Sequence, residues 1–307
     1  MKDLLRTADL SAVDFRLLLD IAAEFKRDPR RQRDYLRNEA VVLYFNKPST
    51  RTRISFETAV ARLGATPVSV GASDLQLGRG ETIEDTALVI SRYARAFVIR
   101  TFADDDVRRF ASAASIPVVN ALTDGHHPCQ SVADLLTLRE QKGALDGLKI
   151  AYVGDGNNVA HSLMEAAALC GCSVAVATPE GYRPDPAIVE HARGLGPAEI
   201  AVTGDPAEAV RGADAVYTDV WLSMGDPEKE RKKRLDALRP YRVDEALMAG
   251  AKPDAVFLHC LPAHRGEEVS AAVMDGPRSV VFDQAENRLH TAVAILFALL
   301  EGRIEGA

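Results

Sequence analysis

The run Val41-Val42-Leu43-Tyr44-Phe45-Asn46-Lys47-Pro48-Ser49-Thr50-Arg51-Thr52-Arg53 sets the reading of the whole chain. Its first five residues are apolar and rich in β-branched and aromatic side chains, which suits a buried strand. Ser49-Thr50-Arg51-Thr52-Arg53 then suits the opening turn of a helix. Such a turn presents unpaired N–H groups and the positive end of the helix dipole, and here hydroxyls and guanidinium groups join them, which makes an anion cradle. No GxxxxGK[ST] pattern is present, so a nucleoside triphosphate is not implied. Arg51 is the candidate ligand, because Arg53 stands four residues before Glu57 and has a partner on its own helix. A capped helix with surface arginines is the competing reading.

Working outward, strand-like runs recur at residues 68–70, 97–100 and 118–120, with a helical stretch at 83–93 among them, and this is a βαβ series. Upstream, Ser11 reads as an N-cap with Asp14 three residues on, and Val13, Leu17, Ile21 and Phe25 recur every four residues as one apolar helix face. Downstream, a second series places strands at 150–153, 174–177, 200–203, 215–219, 256–259 and 280–283. A helix over about 129–142 joins the two series, and a last helix over about 286–302 has no strand after it. The fold class expected is α/β, with two domains that are each a mainly parallel sheet flanked by helices. Residues 1–134 with the C-terminal helix 286–307 form one, residues 135–285 the other, and a hinge is expected at the connecting helices.

Composition bounds the function. A chain of 307 residues exceeds the size at which one core stops growing. With 47% hydrophobic and 26% charged residues it is an ordinary globular protein, and its net charge of -7 with mixed signs lacks the basic clustering of a nucleic-acid surface. Cys129, Cys170, Cys172 and Cys260 show no paired spacing and the first residues carry no secretory apolar segment, so a cytoplasmic setting is expected. The longest apolar stretch, 291–300, falls short of the roughly 20 residues that cross a bilayer.

In open α/β sheets ligands bind beyond the carboxyl ends of the strands. Besides the 49–53 turn, three such places stand out. Arg100 closes one strand, although a lone strand-end arginine is more often an exposed charge. His126-His127-Pro128-Cys129-Gln130 sets an imidazole and an amide around a proline that opens a helix. Metal binding is the rival there, but His-His-x-Cys without partners elsewhere is a poor zinc signature. In the second half, Asp219-Val220-Trp221-Leu222-Ser223-Met224-Gly225 follows one strand and His259-Cys260-Leu261-Pro262 the next, so Asp219 and Cys260 should lie close together. A carboxylate there suits a cationic amine, the opposite sign to the arginine-rich first half. An inert buried thiol is the bland alternative for Cys260.

Ser-Thr-Arg-Thr-Arg, His-Pro-Cys-Gln, Asp-x-Trp-x-Ser-Met-Gly and His-Cys-Leu-Pro, in that order over nearly the whole chain, resemble the ornithine carbamoyltransferases. The first two motifs are shared across the aspartate/ornithine transcarbamoylase superfamily and the last two belong to the ornithine branch. The resemblance implies transfer of the carbamoyl group of carbamoyl phosphate to the side-chain amine of L-ornithine. Ser49, Arg51, Thr52 and the Thr50 backbone would hold the phosphate. Arg100, His127 and Thr52 would polarise the carbamoyl oxygen, and Gln130 with the backbone at Cys260 and Leu261 would meet the carbamoyl NH₂. Arg288 also resembles a residue that reaches carbamoyl phosphate. Gln76 lies in a loop that in relatives reaches a neighbouring subunit, which implies a homotrimer. Asn158, Asp219, Ser223 and Met224 resemble the residues that bind the α-amino and α-carboxylate groups of ornithine. The first domain would then take carbamoyl phosphate and the second ornithine, with Arg100, His127, Asp219 and Cys260 carrying the chemistry. No cofactor and no metal is implied.

The competing class is a nicotinamide dehydrogenase. Val153-Gly154-Asp155-Gly156-Asn157-Asn158 follows a strand and opens a helix, and Glu180 ends the next strand. Val159 stands where a third glycine belongs, and Asn157 and Asn158 offer side chains where a pyrophosphate needs bare backbone. The charge run 228–234 reads as a solvated helix face. Within the superfamily, an aspartate acceptor would call for cations that the 219–225 segment lacks.

Overall fold

The computed structural model describes residues 1–76, 80–222 and 228–307 of the chain, which divide into two compact units, Met1–Ala133 with Glu286–Ala307 and Asp134–Ala285. In the first unit the chain runs through α1 (Ala12–Arg27), β1 (Ala40–Phe45), α2 (Arg51–Arg62), β2 (Thr66–Gly71), α3 (Ile83–Tyr93), β3 (Ala96–Arg100), α4 (Asp104–Ala113), β4 (Val118–Leu122) and the start of α5 (Pro128–Lys142). The strands form one parallel sheet in the order β2-β1-β3-β4. Strand order reverses between β1 and β3, where Phe45 stands opposite Arg100, so the residues just beyond those two strands flank the crevice of the sheet. On one face of the sheet Phe97 stacks between Phe110, with ring centroids 3.9 Å apart, and Tyr44 at 6.3 Å. Rings buried this way contribute area and about 1 kcal/mol of specific contact each.

The second unit continues through β5 (Lys149–Val153), α6 (Asn158–Cys170), β6 (Ser173–Ala177), α7 (Pro186–Gly194), β7 (Ile200–Thr203), α8 (Pro206–Val210), β8 (Ala215–Thr218), α9 (Glu228–Leu238), α10 (Glu245–Met248), β9 (Val256–His259), α11 (Ala271–Met274) and the start of α12 (Val281–Leu300). Its parallel sheet has the order β7-β6-β5-β8-β9, with the reversal between β5 and β8. Thr218 pairs with His259, which sets Asp219 and Cys260 side by side as the next residue of each strand. The strand read over 215–219 therefore stops one residue earlier, at Thr218.

The strand expected at 280–283 does not form. Ser279 makes a single bridge to Phe257, the Val280 N–H donates to the Phe257 carbonyl at 3.0 Å, and Gln284 N–H already bonds back to Val280 as α12 begins. Phe282 is 69% exposed, so Val280, Val281 and Phe282 do not share the two-sided burial of a strand in this sheet. The last helix accordingly starts at Val281 and ends at Leu300.

The face of α1 departs from the expected one at its start. Ser11 does cap the helix, its hydroxyl accepting from Asp14 N–H at 3.1 Å. Ile21 and Phe25 are buried as expected and Leu17 is half-buried, but Val13 is 77% exposed and the buried stripe begins at Phe15 and Leu18. The cause is long-range: buried Asp14 accepts from Glu305 N–H at 3.2 Å and Gly306 N–H at 2.9 Å, so its face must turn toward the C-terminal segment.

Candidate active site

In the first unit four elements converge on the carboxyl ends of β1 and β3. Asn46, just past β1, donates its backbone N–H to Arg100 O at 2.8 Å, and its side-chain amide donates to Thr101 Oγ1 at 3.2 Å, which locks the two strand ends together. Thr50 is the N-cap residue of α2, and Ser49 Oγ accepts from Thr52 N–H at 3.3 Å. Thr52 is buried, Ser49 and Arg51 are half-buried, and Thr50 is exposed, so the turn offers hydroxyls and N–H groups along a graded surface. Arg53 instead pairs with Glu57 at 3.2 Å and lies over the Phe45 ring at 5.5 Å, in keeping with its reading as a helix-face residue.

Arg288, on α12, gathers three of the other candidates. Its guanidinium donates to Gln130 Oε1, reaches Thr52 Oγ1 at 3.4 Å and stands 3.5 Å from His127 Nε2. All four residues are buried, Arg288 itself being 5% exposed. A guanidinium so far from water is costly unless its donors meet acceptors, and these contacts supply them. Burial first, then the charges of Arg288 and Arg100, hold the His127 imidazole well below its ordinary value of 6.5. His127 is therefore a neutral ring with one N–H. Burial raises the Cys129 thiol to about 12, which makes it an inert filler behind the cluster rather than a nucleophile or metal ligand.

In the second unit the matching place lies beyond β5, β8 and β9. Asp219, 6% exposed, accepts from the Cys260 thiol at 2.8 Å on one oxygen and from Asn157 Nδ2 at 2.9 Å on the other. Cys260 is half-buried, and Leu261 holds a left-handed φ of 61° with its N–H on His259 Nδ1 at 2.9 Å. His259 Nε2 then carries the ring proton and donates to buried Glu268 at 3.3 Å. Asp219, His259 and Cys260 lie close enough to share an ion, but each donor is already committed to one of these bonds.

Asn158 opens α6, and its neighbour Asn157, which sequence reasoning considered only as an obstacle to a dinucleotide, bonds to Asp219. Asn157 caps α6 by accepting from Val159 N–H at 2.9 Å and Ala160 N–H at 3.3 Å, and takes the Tyr152 hydroxyl at 3.2 Å. An N-cap preceding a helix at a strand end was the available signal. The glycines of this turn face their own chain. A Cβ on Gly156 would meet Pro184 N at 2.3 Å and one on Gly154 would meet Thr218 Oγ1 at 3.3 Å, so the turn is packed rather than open to a pyrophosphate. Gln76 is exposed next to residues 77–79, and both Ser223 and Met224 lie outside the described residues.

The comparisons with known proteins bear on both halves. Residues 2–140 match the carbamoyl-P binding domain, and residues 146–299 the Asp/Orn binding domain, of aspartate/ornithine carbamoyltransferase. The chain is 54% identical over 304 residues to the ornithine carbamoyltransferase of Parafrankia sp., covering 97% of this chain and 96% of that one. It is 50% identical over 302 residues to that of Bacillus subtilis, covering 97% and 94%. Among solved structures, ornithine carbamoyltransferase from Pyrococcus furiosus superposes with a TM-score of 0.93 at 47% identity, covering 99% of this chain and 98% of that one. Both halves of the fold, with their strand-end clusters, thus fall within one family across nearly the full length, and the chain belongs to the aspartate/ornithine carbamoyltransferases.

Proposed function

We propose that this chain transfers the carbamoyl group of carbamoyl phosphate to the side-chain amine of L-ornithine, giving L-citrulline and phosphate. The observation that carries the choice of acceptor is the Asp219–Cys260 pair beyond β8 and β9, a carboxylate and thiol suited to an amino acid bearing amines. The first unit takes carbamoyl phosphate. Ser49, Thr50, Arg51 and Thr52 receive its phosphate at the start of α2, where the helix dipole adds to the guanidinium charge. Arg100, His127 and Thr52 direct donors at the carbamoyl oxygen, while Gln130, Arg288 and the backbone at Cys260 and Leu261 orient the rest of the group. The second unit takes ornithine, with Asn158, Asp219, Ser223 and Met224 holding its α-amino and α-carboxylate groups.

The chemistry gives the arrangement its reason. The neutral amine attacks the carbamoyl carbon, negative charge grows on the carbamoyl oxygen, and the carbon–oxygen bond to phosphate breaks as the carbonyl reforms. Each preorganised donor aimed at that oxygen lowers the barrier by about 3 kcal/mol. A neutral His127 donates one N–H without adding a second full charge. A lysine-like amine has an ordinary pKa near 10.4, so freeing it of its proton at pH 7 costs about 4 to 5 kcal/mol. Nearby arginine charge reduces that cost, and the departing phosphate accepts the proton.

The first unit leaves the large apolar side chains of Ile54, Val68, Leu88, Val89 and Tyr93 exposed, and we read them together with Gln76 as the side that meets a neighbour in a homotrimer. No helix among the described residues is long and apolar enough to cross a membrane, and we place the enzyme in the cytoplasm. The experiment is an acceptor comparison. With carbamoyl phosphate, ornithine should yield citrulline while aspartate, putrescine and N-acetylornithine react far more slowly; preference for any of those three refutes the acceptor.

A further inference from the structure

Arg234, on α9, ties together three loops at the carboxyl ends of the second sheet. Its Nε donates to Trp221 O at 2.9 Å beyond β8, and its NH2 donates to Asp155 Oδ2 at 2.5 Å beyond β5. Its guanidinium also lies over the Tyr182 ring, beyond β6, at 5.1 Å. The Asp155 and Arg234 side chains are only 15% and 21% exposed, so their charges are weakly screened. Asp155 belongs to the same neighbourhood as Asp219. Asn157 N–H bonds to Asp155 O at 2.8 Å while its side chain bonds to Asp219. Both carboxylates act on the buried Tyr152 hydroxyl, which burial and then Asp219 and Asp155 hold well above its ordinary range.

We propose that the Arg234–Asp155 pair is a specificity device for the acceptor, setting the local charge so that an amino acid with a free α-carboxylate is preferred over the corresponding bare diamine. The inference rests on the reading of this unit as the ornithine side of a carbamoyltransferase. Asp155 and Asp219 together present two negative charges, and Arg234 returns one of them. Ornithine brings two ammonium groups and a carboxylate, whereas 1,4-diaminobutane brings two ammonium groups alone. A site carrying two uncompensated carboxylates favours the dication and repels the amino acid's carboxylate; a site carrying one does not. Arg234 acts through Asp155 and the Trp221 carbonyl and is a positioning residue.

Three variants test it by the sign of their effects on the ratio of kcat/KM for ornithine to kcat/KM for 1,4-diaminobutane. Arg234→Gln is expected to raise the ornithine KM and lower that ratio by about tenfold or more, with the carbamoyl phosphate KM within about twofold of wild type. Asp155→Asn, which leaves the guanidinium in place, should raise the ratio. The double variant should bring it back to within about threefold of wild type, since the two charges are removed together. A purely structural role predicts losses of the same sign in both single variants, adding in the double, and that result overturns the proposal. Should Arg234→Gln fail to fold, Asp155→Asn with Arg234→Lys still decides: a lysine that keeps the charge retains the ratio, and an unchanged or lowered ratio in Asp155→Asn refutes the idea. A wild-type enzyme that does not carbamoylate ornithine at all would instead refute the acceptor assignment on which the inference rests.

Discussion

Replacing Arg288 with methionine, which keeps an unbranched apolar stem and removes the guanidinium donors, probes the centre of the first unit's cluster. The substitution leaves Gln130 Oε1 without its guanidinium partner in a residue that is 1% exposed, and strips Thr52 Oγ1 and His127 of a neighbouring charge. A hydrogen bond to a charged group is worth about 1.5 to 3 kcal/mol, and the orphaned buried acceptor adds a penalty of about 1 to 3 kcal/mol. Part of that penalty is borne by the free enzyme and lowers stability rather than affinity. Assigning about 3 kcal/mol to the bound state predicts a loss of about a hundredfold in kcat/KM for carbamoyl phosphate. Citrulline formation with carbamoyl phosphate varied at saturating ornithine measures it, alongside direct calorimetric titration of carbamoyl phosphate. A second reading is independent of turnover: the positive charge of Arg288 helps hold the His127 imidazole below 6.5, so in Arg288→Met its titration followed by NMR should move upward. A folded variant that binds carbamoyl phosphate within twofold of wild type, with His127 titrating as before, would refute the assignment of Arg288 to this site.

Asp219→Asn should raise the ornithine KM by about tenfold to a hundredfold with little change for carbamoyl phosphate, because a charged partner for the amine is lost while the fold keeps its shape; equal effects on both substrates in steady-state kinetics would contradict the division between the units. Burial holds His127 and His290 below their ordinary value of 6.5, so the unfolded chain binds more protons than the folded one just below that value. Stability should therefore fall as pH drops through about 6.5 and downward, and His127→Gln should flatten that slope in urea titrations at a series of pH values. Of the four cysteines, Cys260 alone is not fully buried, so a brief exposure to iodoacetamide should label it ahead of Cys129, Cys170 and Cys172, and ornithine with phosphate should slow the labelling; mass spectrometry of peptides reads the order.

Alternation of apolar runs with helical periods was enough to place both parallel sheets, since each buried strand is a short apolar burst bounded by polar turns. Where it misled, the deciding contacts were distant. Val280, Val281 and Phe282 look like strand residues, yet Phe257 of β9 bonds to Arg278 O and Val280 N–H around the single bridge at Ser279, and the chain then turns into α12. The face of α1 depends on Asp14 receiving N–H groups from residues more than 290 positions away. Ser49 to Thr52, Arg100, His127 and Asp219 could be singled out as candidates because a strand end announces where a ligand can sit, and they do lie at or just beyond the ends of β1, β3, β4 and β8. Asn157 and Arg234 were not: the first looks like a helix cap, and the second sits in a lysine-rich helix and finds Asp155 79 positions earlier.

Asp219 already holds a donor on each oxygen before any substrate arrives, the thiol of Cys260 on one side and the amide of Asn157 on the other. A carboxylate offers about four acceptor directions, so on the proposed reading an arriving ammonium group can join these two donors rather than evict them. The thiol and the amide hold the carboxylate in one orientation beforehand, and an acceptor that finds its partner already fixed loses less freedom in binding.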